Sequence, residues 1–316
     1  MSSTTSQYDL SVIIVNYNGG DELMACLKSL AETHESIQFE VMVVDNDSSD
    51  NSIGNAERQY PQFRYLRAKE NLGFARANNL ALKEARGRHA MLLNPDTEVI
   101  PGALSILVTA LDNEPSWGIV GPQMVDGKDK PYRSARRFPT PFDLFSETLK
   151  LNALFPWSKK LNGYIYGDCP LIALDAVEQI EGSALMISGK AREQVGELDP
   201  RFFIFFEEVD WCRRVHEAGF EVHVVRDATI RHHRSTTMSK HFEKIRRIHA
   251  SSAMKYFLKH HGKAGLKRLR RYMRSALLIR EMLLWVFMCL GGGRKARQRA
   301  KTAHAERAIY RRGLPA

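Results

Sequence analysis

Short apolar runs, each closed by a polar cluster, alternate with stretches of helical spacing over the first 115 residues. Ser11–Val15 and Val41–Val44 are β-branched runs and Ala90–Leu93 is a third apolar run. Runs of this length, apolar at every position, read as parallel strands buried on both faces. Between them Leu23, Leu27 and Leu30 recur at helical spacing, and so do Leu104, Leu107, Val108 and Leu111 after Pro101, a residue suited to a first helical turn. The alternation predicts a βαβ sheet with helices crossing between strands. In open parallel sheets ligands bind outside the carboxyl ends of the strands. Here those ends read Asn16 to Asn18, Asp45 to Asp50 and Asn94 to Asp96. Taken singly, each cluster is ordinary turn chemistry; three at successive strand ends predict one polar rim.

Residues 121–180 are less regular, with a basic stretch holding Arg133, Arg136 and Arg137 and aromatics from Phe155 to Tyr166. Order returns at Ala184–Ile187 and at Phe202–Phe206. Glu207–Arg214 then opens a helix that can pack through Val209, Cys212, Val215 and Ala218, and acidic residues at a helix start are electrostatically favoured in any case. Glu221–Val225 reads as a further strand leading to Arg231–Arg234. From about Phe242 the chain is helical, with Ile245, Ile248, Ser252, Tyr256 and Lys259 sketching one face and Leu266, Leu269, Tyr272 or Met273, and Ala276 another. The apolar stretch Met282–Leu290 is too short to span a bilayer, which takes about 20 residues.

Composition is that of a soluble globular chain and excludes collagen, coiled coil and wholesale disorder. Charge is unevenly placed. Residues 240–316 carry 21 Lys and Arg against 3 Asp and Glu, whereas residues 1–239 carry 25 against 33. An acidic body with a basic tail predicts an anionic partner for the tail, nucleic acid or an anionic membrane surface. A basic helix beside Leu, Trp, Phe and Met suits an amphipathic segment in the membrane interface; the alternative is a helical hairpin with a solvated basic face, or a dimer interface. Cys26, Cys169, Cys212 and Cys289 lie far apart with no CxxC pair and read as buried thiols in a reducing compartment. The polar start shows no signal-peptide pattern, so a cytoplasmic location is expected.

No GxGxxG follows the first strand and no GxxxxGK precedes a Ser or Thr, which disfavours dinucleotide binding and P-loop hydrolysis. A carboxylate at Asp45 can accept from a pyrimidine N–H, and one at Asp96 can hold a divalent cation on a diphosphate, because hard cations prefer oxygen. Together they describe a sugar-nucleotide site.

Five segments in order, SVIIVNYNG at Ser11–Gly19, VDNDSSD at Val44–Asp50, NLGFARANN at Asn71–Asn79, LNPD at Leu93–Asp96 and FFEEVDWCR at Phe205–Arg213, resemble glycosyltransferase family 2. The resemblance extends over about residues 10 to 240. Within it, RRFPT at Arg136–Thr140 and EGSA at Glu181–Ala184 look like the branch of rhamnosyltransferases and related enzymes of bacterial surface-polysaccharide assembly. The resemblance implies an α/β, Rossmann-like GT-A domain over residues 1–240; charge and helical spacing add a basic amphipathic helical tail over 241–316. The resemblance also implies a nucleotide-diphosphate sugar donor such as dTDP-rhamnose or a UDP-sugar, Mg²⁺ or Mn²⁺, and inversion at the anomeric carbon.

Residue by residue, the resemblance matches Asp45 to the aspartate that contacts the base and places Asn16 at a strand end facing the nucleotide. Asn78 stands where many relatives carry an arginine near the diphosphate. Asp96 matches the last acid of the DXD-like motif, with Asn94 in place of the first. The family's catalytic base is the aspartate of a Glu-Asp pair at a helix start, and here the pair reads Glu207-Glu208. Glu208 is therefore the candidate base, with Asp210 and Glu207 as alternatives. His232 stands where relatives carry a histidine that completes the metal or diphosphate site; the other reading is a structural histidine, with His233 the lesser candidate. Arg133, Arg136, Arg137 and Arg234 are candidates for a pyrophosphate-linked acceptor or plain surface residues. The expected activity is transfer of rhamnose or another hexose to a lipid-linked oligosaccharide at the inner face of the cell membrane. Alternatives are a soluble glycan or protein acceptor, and a non-catalytic protein whose tail binds nucleic acid, although aromatics do not interleave with Lys and Arg as a stacking platform requires.

Overall fold

A computed structural model describes residues 7–167, 176–233, 242–291 and 293–314. They divide into two compact units, one of residues 7–136, 176–203 and 207–233, the other of residues 137–167, 204–206, 242–291 and 293–314.

The first unit opens with β1 (Tyr8–Asn16), α1 (Gly20–Glu32), β2 (Phe39–Asp45), α2 (Ser52–Gln59), β3 (Arg64–Arg67), α3 (Gly73–Glu84) and β4 (Gly87–Leu93). There follow β5 (Thr97–Val99), α4 (Ala103–Asn113), β6 (Trp117–Val125), β7 (Pro131–Tyr132) and β8 (Ala135–Arg136). The sheet runs β3-β2-β1-β4 in parallel from one edge. Alternate side chains of these strands, Leu10, Val12 and Ile14 on β1 and Val41 and Val43 on β2, meet Leu23, Leu27 and Leu30 of α1 and Leu104, Leu107 and Leu111 of α4 in one core. Ile13, Met42 and Val44 on the opposite face are fully buried too, and burial on both sheet faces is why the strands lack alternation. Pro101 lies ahead of α4 rather than inside its first turn, and Gly102, at φ 88°, turns the chain into the helix.

In register, Asn16 lies opposite Asp45, and Ile14 opposite Leu93. The polar residues after β1, β2 and β4 thus end at one level, as the rim reading expects.

The second unit begins with α5 (Pro141–Leu149), capped by Thr140 and Asp143 in a reciprocal capping box, and two single turns, α6 (Leu151–Leu154) and α7 (Lys159–Asn162). Returning to the first unit, the chain forms β9 (Ala176–Val177), β10 (Gln179–Ile180), β11 (Ala184–Ile187), α8 (Gly189–Val195), α9 (Glu207–Glu217) and β12 (Glu221–His232). Strand β11 inserts antiparallel between β4 and β6, and β12 continues parallel to β6, with β5 on its far side. Antiparallel β10 and β8 form a separate two-stranded ribbon.

Phe202–Phe206 is a series of bends instead of a regular element, and both Phe205 and Phe206 take φ of 70°. Such a backbone is a rarity for an aromatic residue. Within the second unit it is held by ring contacts from Phe205 and Phe206 to His249, 5.4 and 5.3 Å between centroids. Burial, with the charge of Arg246, pushes the His249 imidazole down to about 4, so it packs as a neutral ring.

The second unit ends in α10 (Phe242–Cys289) and α11 (Arg294–Arg312). Gly262, at φ 63°, breaks α10 into two helical stretches. Helix α11 folds back on α10 through Arg246–Glu306 at 2.9 Å, Arg307–Glu281 at 2.9 Å and the Arg270 Nε donor to the Tyr310 carbonyl at 2.7 Å. The predicted tail helices are present and form a hairpin. Of the cysteines, Cys26 and Cys212 are buried as expected, Cys289 is exposed, and Cys169 lies outside the described residues. Among the described residues no helix is long and apolar enough to cross a membrane.

Candidate active site

The rim is built by side chains that tie its loops together. Asn16 is fully buried. Its amide donates to Ser48 Oγ (3.0 Å) and Ser52 Oγ (2.9 Å) and accepts from the Gly19 N–H (3.2 Å), so both strand-end loops hang from one amide. Asn18 Oδ1 accepts from the Ser49 and Asp50 N–H groups, at 2.7 and 3.1 Å. Asp45 is half-buried at the tip of β2, where one carboxylate oxygen accepts from the Ser48 N–H at 3.0 Å. Asn46, not singled out in the sequence, bridges the same rim to the start of α3 by accepting from the Leu72 N–H at 2.8 Å. Asn16 therefore shapes the loops around Asp45 rather than presenting a free amide to a ligand.

Asn78 is also turned inward. It is 1% exposed, its Nδ2 donates to the Phe74 carbonyl at 2.9 Å, and its Oδ1 has no hydrogen-bond partner. Its neighbour Asn79 clamps Leu198 by donating to the carbonyl at 2.7 Å and accepting from the N–H at 3.1 Å, tying α3 to the loop after α8.

After β4, the Asn94 N–H donates to the Ser183 carbonyl at 2.9 Å and the Asn94 carbonyl accepts from the Thr97 hydroxyl at 2.6 Å. These bonds present Asp96 to the end of β12. Asp96 Oδ1 is 3.2 Å from His232 Nε2, both side chains being largely buried. On the other face of the ring, His232 Nδ1 meets the Tyr132 hydroxyl at 2.9 Å, and that hydroxyl donates to Glu181 Oε1 at 2.8 Å. Ser183 Oγ donates to the same oxygen at 2.8 Å. Burial works against a charged imidazole, but the carboxylates of Asp96 and Glu181 outweigh it and raise His232 to about 9. At neutral pH the chain Asp96–His232–Tyr132–Glu181 is consistent in its protons: the imidazolium donates at both nitrogens and the phenol O–H donates its hydrogen bond to Glu181. His233 is held apart from it, with Nε2 2.6 Å from Glu98 Oε1.

Glu181 leads to the acidic helix start. The Glu181 N–H donates to the Ser134 carbonyl at 3.0 Å and extends the β8–β10 ribbon, in which Gln179 lies opposite Arg136. Helix α9 packs on β10, so a Cβ on Gly182 would stand only 3.4 Å from Glu208 Cβ. Glu208 thus lies against the Glu181–Ser183 turn. Its Oε2 is buried without a hydrogen-bond partner. Loss of water, with the nearby charge of Glu181, pushes Glu208 up to about 7, against the pull of the first N–H groups of α9 and of Arg136.

Of the two alternatives to Glu208, Asp210 differs from it in its partners. Asp210 is fully buried in an ion pair with Arg214 Nε at 2.9 Å, and the same guanidinium donates to the Val195 carbonyl and, at 2.7 Å, to the Glu197 carbonyl. That is a structural clamp between α9 and the end of α8, and it removes Asp210 from consideration as the base. Glu207 is buried as well. Of the basic candidates, Arg137 donates to the Gly163 carbonyl and lies 4.4 Å from the centroid of the Tyr166 ring, a structural use within the second unit. Arg136 acts on Glu208 by its charge. Arg133 is half-buried, and Arg234 lies outside the described residues.

Among the described residues no three His, Cys, Asp or Glu side chains gather as a ready-made metal cage. The donor chemistry nevertheless fits a hard cation shared with a ligand: Asp96 supplies one carboxylate, His232 braces it, and diphosphate oxygens and water would complete the shell.

A model of the family described as Glycosyl transferase family 2 matches residues 11–180. An N-acetylglucosaminyl-diphospho-decaprenol L-rhamnosyltransferase of Mycobacterium tuberculosis is 26% identical over 301 residues, 87% of this chain and 92% of that protein. A low-salt glycan biosynthesis hexosyltransferase of Haloferax volcanii is 27% identical over 218 residues, 68% of this chain and 64% of that one. Among solved structures, a mannosyltransferase of Pyrobaculum calidifontis in complex with GDP-Man and Mn²⁺ superposes with a TM-score of 0.56 at 16% identity, over 96% of this chain and 88% of that one. These likenesses bear out the GT-A fold expected from the sequence.

Proposed function

Since the chain belongs to glycosyltransferase family 2, we propose that it moves a hexose, rhamnose in the first instance, from a nucleotide-diphosphate sugar to a lipid-linked glycan with inversion. The observation that carries the mechanism is Glu208, a buried carboxylate with one unpartnered oxygen and an affinity for protons matched to neutral pH. In this reading Glu208 Oε2 takes the proton of an acceptor hydroxyl as that oxygen bonds to C1 of the sugar. The C1–O bond to the diphosphate breaks on the opposite face, and its electron pair leaves with the nucleoside diphosphate. Asp45 receives the base at the rim. Asp96, braced by His232, would hold Mg²⁺ or Mn²⁺, which would supply positive charge for the leaving diphosphate. His232, 3.2 Å from Asp96 Oδ1, would keep that carboxylate in place for the ion.

Support for a lipid-linked acceptor comes from the mycobacterial relative, whose name specifies a decaprenyl-diphosphate sugar and whose length this chain almost covers. Such an acceptor requires the enzyme to work against a membrane. The test is nucleoside-diphosphate release from a panel of donors that includes dTDP-rhamnose and UDP-sugars, with an N-acetylglucosaminyl polyprenyl diphosphate as acceptor. Wild type and Glu208→Gln are compared with Mn²⁺ and with chelator. Metal-dependent release from one donor, lost in the variant, supports the reading; release equal in both proteins sinks Glu208 as the base.

A further inference from the structure

The exposed face of α10 changes character along its length. Lys263, Lys267, Arg268, Arg271 and Arg274 are exposed on its second stretch, and from Leu278 to Leu290 every exposed side chain is apolar or the thiol of Cys289. At 3.6 residues per turn the arc from Trp285 through Met282, Val286 and Leu283 to Phe287 covers about 200° of the helix circumference. The exposures are large, 56% for Trp285 and 81% for Leu290. The remaining side, Arg280, Glu281, Leu284 and Met288, is partly buried, and Glu281 bonds to His304 and Arg307 of α11, each at 2.9 Å. Lys267, Arg268 and Arg271 project within the same arc, about two to three turns before the apolar part begins.

Width and order identify the occupant. Two helices of a dimer share a stripe on the order of 100° or narrower, so a second copy would leave half of this face in water. A bilayer surface covers an arc of any width. The apolar part is about 18 Å long at 1.5 Å per residue, short of the ~30 Å hydrocarbon core. Tryptophan among aliphatic residues suits the headgroup level, and a basic band directly behind the apolar tip suits anionic phosphates.

We propose that residues 278–290 insert into the boundary between headgroups and acyl chains of an anionic bilayer, with Lys267, Arg268, Arg271 and Arg274 on the lipid phosphates. The proposal rests on the lipid-linked acceptor for its purpose, and on this helix face alone for its evidence.

The experiment is co-sedimentation of the full chain with vesicles of phosphatidylcholine and phosphatidylglycerol in equal parts, and with phosphatidylcholine alone. Two variants are compared with wild type, Met282→Glu/Leu283→Glu/Phe287→Glu and Lys267→Gln/Arg268→Gln/Arg271→Gln. All six side chains are exposed or nearly so, and circular dichroism checks that both variants fold. Each triple is expected to lower partition into the anionic vesicles by about tenfold or more, and wild type to bind phosphatidylcholine alone more weakly by a similar factor. Wild type that stays in the supernatant overturns the proposal, as does an apolar triple that sediments like wild type. A wild-type dimer that the apolar triple converts to monomer, with vesicle binding unchanged, assigns the face to self-association and also overturns it. Failure of the transferase reading is visible separately, as absence of nucleoside-diphosphate release by a wild type that binds vesicles.

Discussion

Asp96 Oδ1 and His232 Nε2 stand 3.2 Å apart although 136 positions separate them in the chain, one after β4 and the other at the end of β12. The imidazole fixes the carboxylate's orientation, and Tyr132 and Glu181 fix the imidazole from behind. Outer partners of this kind typically alter metal affinity 10- to 100-fold when removed. Asp96→Ala is expected to abolish metal-dependent turnover. His232→Gln is expected to raise the Mn²⁺ concentration for half-maximal rate by about tenfold, and Tyr132→Phe by less. A titration of initial rate against Mn²⁺ checks the order, and equal responses of His232→Gln and wild type would remove His232 from the site.

Glu208 and Asp210 are both acids in the first turn of α9, yet opposite consequences are expected from their amides. Glu208→Gln removes the proton acceptor and is expected to lower kcat by about 10²- to 10⁴-fold without loss of stability. Asp210→Asn leaves the Arg214 guanidinium without its carboxylate and is expected to cost roughly 3 kcal/mol of stability, while the folded fraction keeps its kcat. Denaturant unfolding and initial rates on the same preparations separate the two. A stable but inactive Asp210→Asn would reverse the assignment.

Glu208 also predicts two pH dependences. Its carboxyl, at about 7 in the folded protein, lies above the usual value of 4.5. As a base it must be ionised, so kcat/KM is expected to fall as pH drops through about 7. For stability the sign is reversed: the folded state binds the proton more tightly than the unfolded state, so this group's contribution is fully present below about 4.5 and is lost as pH rises towards 7. Glu208→Gln is therefore expected to stabilise the protein by about 1–3 kcal/mol at pH 8 and by nothing near pH 4. Tm of both proteins at the two pH values is the measurement.

Gly73 opens α3 at φ 75°, where a Cβ would run into the Phe203 carbonyl oxygen that accepts the Phe74 N–H at 2.6 Å. Gly73→Ala is expected to cost about 2 kcal/mol or more, from backbone strain and the displaced hydrogen bond together. Unfolding in urea measures it, and a cost under half of that would show that the 203 loop yields freely.

The strands, their helices and the polar rim were determined by sequence alone, because each is a local matter: β-branched runs make buried strands, and the Asn, Asp and Ser that follow them turn the chain wherever it goes next. The acidic start of α9 was legible for the same reason. Which acid faces the site was not. Residues 208 and 210 lie about 200° apart on a helix; Asp210 meets Arg214 one turn further along the same helix, while only the packing of α9 on β10 turns Glu208 toward Glu181. The motif at Glu181–Ala184 was visible as a resemblance, but nothing local links it to Tyr132 or His232, which join it through a ribbon and a strand far along the chain. Asn16 and Asn78 show the same limit from the other side. Their positions were predicted, while the burial that commits one amide to loop hydrogen bonds and turns the other inward was decided by tertiary structure. The tail follows suit: composition made it basic and helical, and only the fold of α11 onto α10 determined which side of that helix stays bare.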